Sequence, residues 1–252
     1  MTHKVVIVTG GSRGIGAATA RLAAERGYSV VVNYAGNQAA ADAVCAEITA
    51  RGGTAVPVQG DVSKPADIDA IFAAADALGP LVGLVNNAGV IDLAMRVEDM
   101  TLPRLERIFA VNVYGSILCA AQAVRRMSTA RGGQGGAIVN ITSGAAKLGA
   151  PNTYVDYAAA KGAIDSFTVG LAFEVATEGI RVNSVRPGLI DTDIHAAGGD
   201  PDRASRLAST VPMQRTGSAL EVAEAIVWLL SDAASYTTGG VIPVTGGRAV
   251  SP

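Results

Sequence analysis

The chain has 252 residues, 49% of them hydrophobic and 17% charged, enough apolar content for one large core or two small ones. Lys and Arg number 20 against 22 Asp and Glu, a net charge of -2 that leaves no basic surplus for a nucleic-acid backbone or an anionic membrane. The 49% hydrophobic content argues against disorder, and the 30 glycines and 4% aromatic content suit an α/β build of tight turns on Ala, Val, Ile and Leu.

In chain order, short β-branched runs alternate with longer helical stretches. Val5–Val8 reads as a strand followed by a helix over 14–27, and 30–32 as a strand followed by a helix over 37–51. A strand at 55–58 precedes a helix over Pro65–Leu78, and one at 81–85 precedes a long helix over 102–130. Strands at 138–141, 180–185 and Val241–Val244 complete a set of seven, with helices over 154–178 and 219–231 between them. Strands apolar on both faces and separated by helices call for a parallel sheet covered on both sides, a doubly wound Rossmann fold. No composition shift or repeat divides the chain, so 1–252 reads as one domain. Pro243 lacks a ladder donor, which places the last strand at an edge.

The apolar region 108–124 is interrupted by Asn112, Tyr114, Gly115, Ser116 and Gln122, the pattern of a buried helix rather than a membrane span. The N-terminal apolar run is too short for a signal-peptide core, and the expectation is a soluble, cytoplasmic protein. Cys45 and Cys119 lie far apart and read as packed side chains, while His3 and His195 offer no ligand pairing, so no metal site is expected.

In a doubly wound sheet, ligands bind beyond the carboxyl ends of the strands. The first strand is followed by Thr9-Gly10-Gly11-Ser12-Arg13-Gly14-Ile15-Gly16 and then by a helix. Glycines there permit a tight turn and let the backbone approach a pyrophosphate, whose charge a helix N-terminus favours. An NAD site usually has Asp or Glu at the end of the second strand for the ribose 2′-hydroxyl, but Asn33-Tyr34-Ala35-Gly36-Asn37 holds no acid. A carboxylate would repel a 2′-phosphate and a guanidinium attract it; with Arg13 in the loop the expected cofactor is NADP(H), NAD(H) being the alternative.

The spacing Gly10-x3-Gly14-x-Gly16 resembles the T-G-x-x-x-G-x-G loop of the short-chain dehydrogenase/reductase family. Further segments over nearly the whole chain match in order: Asn86-Asn87-Ala88-Gly89, Asn112, Ser143, Tyr157-Ala158-Ala159-Ala160-Lys161, and Pro187-Gly188-Leu189-Ile190-Asp191-Thr192. The resemblance implies a catalytic tetrad of Asn112, Ser143, Tyr157 and Lys161. It also implies cofactor contacts at Gly10, Ser12, Arg13, Gly14, Ile15, Gly16, Asn33, Tyr34, Asn87, Ala88, Gly89, Tyr157, Lys161, Pro187 and Gly188. Asp61 and Val62 would lie beside the adenine, although Asp61 could equally cap the helix at Pro65; Ile190 and Thr192 would meet the nicotinamide carboxamide.

These residue types suit hydride chemistry. Reducing a ketone develops negative charge on its oxygen, so a proton donor must stand there. Tyr157 can be acid in reduction and base in oxidation if Lys161 and an oxidised nicotinamide lower its pKa, while Ser143 donates to the substrate oxygen. On a helix, residues four apart share a face, so Tyr157 and Lys161 can serve one site. The resemblance implies that Asn112 holds a water that relays protons from Lys161, while on local grounds it equally reads as a mid-helix polar residue bonding a kinked backbone. Tyr154 is the competing tyrosine, set aside because it precedes the helix.

The stretch 189–213, polar and glycine-interrupted from 193, reads as a substrate lid in which His195 is more simply solvated than catalytic. The expected activity is NADP(H)-linked interconversion of a small-molecule carbonyl and a secondary alcohol. The resemblance is shared between 3-oxoacyl carrier-protein reductases and glucose dehydrogenases, and a non-catalytic NADP(H) sensor is the reading from another class. Glu174, where those carrier-protein reductases would present a basic residue, and the mixed charges of the lid favour a free small carbonyl or sugar over a carrier-bound thioester. Long Ala-rich helices and an apolar edge strand favour self-association, and the resemblance implies a homotetramer.

Overall fold

A computed structural model describes residues 4–192 and 194–249, with the side chain of His195 outside that description. Seven strands form one parallel sheet: β1 (Val5–Val8), β2 (Ser29–Tyr34), β3 (Thr54–Gln59), β4 (Leu81–Asn86), β5 (Gly136–Ile141), β6 (Ile180–Pro187) and β7 (Val241–Val244). Their order is β3-β2-β1-β4-β5-β6-β7. The helices are α1 (Gly14–Glu25), α2 (Gln38–Ala50), α3 (Pro65–Leu78), α4 (Leu102–Phe109), α5 (Ser116–Met127), α6 (Ala145–Leu148), α7 (Val155–Val175), α8 (Ile194–Ala197), α9 (Arg203–Leu207) and α10 (Ala219–Leu230). The order reverses between β1 and β4, opening a crevice beyond their carboxyl ends.

The period-two alternation of strand side chains splits the valines between two cores. Val6, Val8, Val30, Val32 and Val85 join α1, α2 and α10 on one face. Val5, Ile7, Val31 and Leu84 join α3, α5 and α7 on the other. Each face buries its row fully, which is why the strands read as continuous apolar runs. β7 is an edge strand, as Pro243 requires. The opposite edge, β3, carries Pro57 for the same reason.

The expected helix over 102–130 is broken. Between α4 and α5 the backbone widens into a π-helical turn over Ala110–Gly115. Asn112 causes it: Nδ2 donates to Ile108 O at 2.8 Å and to Val90 O at 2.9 Å, drawing the helix toward the loop after β4. Such turns recur at functional sites. The run Leu102–Met127 is long and apolar enough to cross a bilayer. Its Ile108, Cys119, Ala120, Ala123 and Met127 are instead packed in the cores.

Candidate active site

The glycine loop joins β1 to α1 with Gly10 at φ +60° and Gly14 at φ +52°, left-handed backbone that suits glycine. A Cβ on Gly16 would lie 2.3 Å from Gly10 O and 2.5 Å from Asn87 Nδ2, so no larger residue fits. Behind the loop, Thr9 Oγ1 accepts the N–H groups of Asn87 and Ala88, each at 3.0 Å, and donates to Val85 O. Asn87 Nδ2 returns bonds to Thr9 O and Gly10 O at 2.8 and 3.0 Å, locking β1 to β4 across the reversal. No side chain caps α1, and its first turn carries no acid. A left-handed glycine cradle opening on an uncapped helix N-terminus fits a dinucleotide pyrophosphate.

At the adenosine end, Arg13 is exposed at the N-cap of α1, and no acid lies on 33–37. Tyr34 is buried in the core beside α1 and α2. Asn33 is buried, with its amide committed to the fold: Oδ1 accepts Gly10 N at 3.2 Å and Nδ2 donates to Gly60 O at 2.9 Å. It shapes this end from behind. Asp61 Oδ1 accepts Ser63 N and Oγ, closing the turn that leads into α3, while buried Val62 packs under Gly115. Ser12 and Ile15 are half-buried on the loop. Across the crevice, Thr192 lies against Gly14, whose Cβ would meet its Cγ2 at 3.3 Å. Gly188 has no room for a side chain, its Cβ falling 2.6 Å from Thr245 Cα, and Ile190 is buried and bridged to Gly217. Pro187 O accepts Gly144 N at 2.8 Å, tying the end of β6 to the segment that carries Ser143.

Ser143, Tyr157, Lys161 and Asn112 converge beyond β5. Tyr157, half-buried on α7, stands close enough to Ser143 for the serine to pull its pKa down, and Ser143 Oγ accepts Ala145 N at 3.1 Å. Lys161, 3% exposed, donates to Ile141 O at 2.8 Å, and its Nζ lies 5.6 Å from the centre of the Tyr157 ring. A Cβ on Gly89 would meet Asn112 Oδ1 at 2.9 Å and Lys161 Nζ at 3.4 Å, so these groups border one space. Asn112 is fully buried, its Oδ1 accepting Val90 N at 3.3 Å. It is the polar residue of a kinked helix, and it also fixes the wall beside Lys161.

Burial pushes the Tyr157 phenol up to about 12, against a smaller downward pull from Ser143. It draws Lys161 down to about 8, with Asp165 opposing. Among the protein's own groups, desolvation of the phenolate outweighs the pull of Ser143. Tyr154 plays a different part. It is buried, and its hydroxyl donates to Gly198 O, in the 189–213 stretch, at 3.1 Å. Ile91 Cδ1 would lie 2.7 Å from a Cβ on Gly198, which packs that stretch on the loop after β4. The role considered for the His195 side chain falls outside the described residues, as does His3. Among the described residues no cluster could hold a metal ion.

Sequence reasoning missed several supports. Asn86 Nδ2 donates to Asn140 Oδ1 at 2.9 Å, and Asn140 Nδ2 to Thr168 Oγ1 at 2.9 Å, a buried chain joining β4, β5 and α7. Arg104 on α4 forms a buried ion pair with Asp156, the residue before Tyr157. Charged residues at these positions look like ordinary helix surface, and only tertiary packing reveals them.

The family model described as Enoyl-(Acyl carrier protein) reductase matches residues 10–249. The oxidoreductase YgfF of Escherichia coli K12 is 54% identical over 245 residues, 97% of this chain and 99% of the relative. A 3-oxoacyl-[acyl-carrier-protein] reductase of Synechocystis is 39% identical over 98% of this chain and 97% of its own. The crystal structure of a short-chain type dehydrogenase/reductase from Mycobacterium marinum superposes with a TM-score of 0.91 at 32% identity, covering 99% of this chain and 97% of that one. Sequence matches and a shared fold over nearly full length establish that the chain belongs to the short-chain dehydrogenase/reductase family, oxidoreductases that act on CH–OH and carbonyl groups with NAD(P)(H).

Proposed function

We propose that the protein interconverts a small free carbonyl compound and its secondary alcohol with NADP(H), with Tyr157 as the proton carrier. The observation that carries this reading is the convergence of Ser143, the Tyr157 hydroxyl and buried Lys161 at one point beyond β5. When bound, the dinucleotide supplies or accepts the hydride. Gly10, Gly14 and the uncapped end of α1 hold its pyrophosphate, and exposed Arg13, with no acid on 33–37, favours a 2′-phosphate. Ser143 has its oxygen fixed by Ala145 N–H, so its own hydrogen is free to orient toward the substrate oxygen or the phenol. Tyr157 gives its proton to the developing alkoxide in reduction and takes it back in oxidation. The Lys161 ammonium offsets the phenolate charge that results, and Asp165 helps it stay protonated. Asn112 holds the Gly89–Val90 wall in place beside it.

A free small substrate is supported by the charges at the mouth. Arg203 and Arg206 both face Asp200, Arg107 faces Asp92, Arg96 faces Glu98 and Arg126 faces Asp76, so that of the cations that could dock an acidic carrier only exposed Arg125 and Arg131 stand outside these pairs, too few for a strong basic field. Exposed Tyr114 and Leu118 on the α4–α5 stretch and Phe173 on α7 support association with further copies, in our reading a homotetramer. Two free, buried cysteines suit a reducing compartment such as the cytoplasm.

The test is steady-state kinetics with free ketones, aldehydes and sugars against a carrier-bound 3-oxoacyl group, each with NADPH and with NADH. The expected result is a higher kcat/KM for a free compound with NADPH. A carrier-bound substrate winning by orders of magnitude, with steep salt dependence, would refute the substrate class.

A further inference from the structure

We infer that the buried pair Arg104–Asp156 is a positioning device for the reaction, holding the proton-carrying tyrosine in fixed relation to the substrate-side wall and the lid. The inference rests on Tyr157 being that proton carrier. Arg104 Nε donates to Asp156 Oδ2 at 2.7 Å and Nη2 to Oδ1 at 3.4 Å, with the two side chains 6% and 0% exposed. Removing two charges from water is costly, and apolar residues of similar volume would hold α4 against α7 at least as well, so the pair is poorly explained as a means to stability.

The remaining contacts explain it better. Asp156 Oδ1 also accepts the backbone N–H of Tyr157 at 2.9 Å, in the first turn of α7. Arg104 Nη1 donates to Leu93 O at 2.7 Å, in the loop after β4. Two residues on, Met95 N donates to Thr153 O at 3.0 Å, joining that loop to the approach to α7. Leu93 reaches the lid, its Cδ2 lying 2.9 Å from where a Cβ on Gly199 would be. One guanidinium therefore references both the turn that carries Tyr157 and the wall that meets the lid. Its planar fork fixes direction as well as distance, which a lysine ammonium does not. Neither residue touches reacting atoms; both act through Tyr157 and Leu93.

The test uses the full chain with Arg104→Met, Asp156→Leu, the double variant and Arg104→Lys. For each, the denaturation midpoint, the NADPH Kd, and kcat and KM for the carbonyl that the wild type reduces fastest are measured. Each apolar single variant leaves a buried charge alone and should lose stability. The double variant should recover the wild-type midpoint and bind NADPH normally, yet show kcat reduced about tenfold or more. Arg104→Lys keeps the charge and serves if the double variant does not fold; it should retain NADPH affinity and lose kcat to a similar degree. Full kcat in either folded variant overturns the inference. Tyr157→Phe is run in parallel: if it keeps wild-type kcat, the assignment of the proton carrier fails, and this inference falls with it.

Discussion

The glycine loop after β1 and the turn that leads into α7 both pass through left-handed backbone, and they are built from different residues. In the loop, Gly10 and Gly14 adopt φ +60° and +52°. In the turn, Gly149 at φ +73° is followed by Ala150 at +46° and Asn152 at +59°. Glycine takes that conformation freely, whereas alanine meets a steric penalty, so the loop is relaxed and the turn is held by its surroundings. The holding groups are Met95 N on Thr153 O, Tyr154 on Gly198 O, and Arg104 on Asp156. The dinucleotide end is thus a backbone cradle whose turns glycine takes freely, braced from behind by Asn87 and Asn33, and the substrate end a strained turn held by side-chain ties between distant segments.

The largest expected effect breaks the cradle. Gly16→Ala places a Cβ against Gly10 O and Asn87, and should weaken NADPH binding at least about 100-fold, or prevent folding, by titration and melting. Affinity within threefold of wild type would show that the loop has slack. Arg13→Ala should leave the loop intact and weaken NADPH by about 1.5 to 3 kcal/mol, with NADH nearly unchanged. Equal losses for both cofactors would assign Arg13 to the loop alone.

At the substrate end the cost of burial is measurable through pH. Lys161 falls to about 8 from an ordinary 10.5, so between those values the unfolded chain binds more protons and stability rises with pH. Tyr157 lies at about 12 against an ordinary 10.0, so above pH 10 the unfolded chain loses its proton first and stability falls. Denaturant melts of wild type and Lys161→Met should therefore shift in favour of wild type by on the order of 2 kcal/mol between pH 8 and 10. A flat difference would mean that the lysine keeps an ordinary pKa in the fold. Smallest of all, Ala150→Gly should change stability by about 0.5 kcal/mol in the favourable direction, relieved strain slightly exceeding the added chain entropy. A loss above about 1 kcal/mol would show that the turn is not strained.

The same contrast governs what the sequence discloses. The seven strands, the edge position of β7 and the placement of the glycine loop are legible because alternation, apolar runs and glycine spacing are local signals. Pro57 carries the same edge signal as Pro243 and marks β3. The break in the helix at Asn112 is harder to read, since its cause is a bond to Val90, twenty-two residues earlier in the chain. Tyr154 and Tyr157 differ by three positions, yet one bonds Gly198 O and the other lies beside Ser143. No periodicity identifies Arg104 as the partner of Asp156, because the pair spans two helices that meet only in the fold.

The central claim is that Tyr157 moves the proton in an NADPH-linked carbonyl reduction on a site whose cofactor half is independent of it. The most direct measurement follows nicotinamide absorbance in wild type, Tyr157→Phe and Tyr154→Phe with the best carbonyl, beside NADPH titrations of all three. The account predicts a kcat loss of about 100-fold or more for Tyr157→Phe, with NADPH affinity largely intact, and a much smaller loss for Tyr154→Phe. Near-normal turnover by Tyr157→Phe, or abolition by Tyr154→Phe instead, would contradict it.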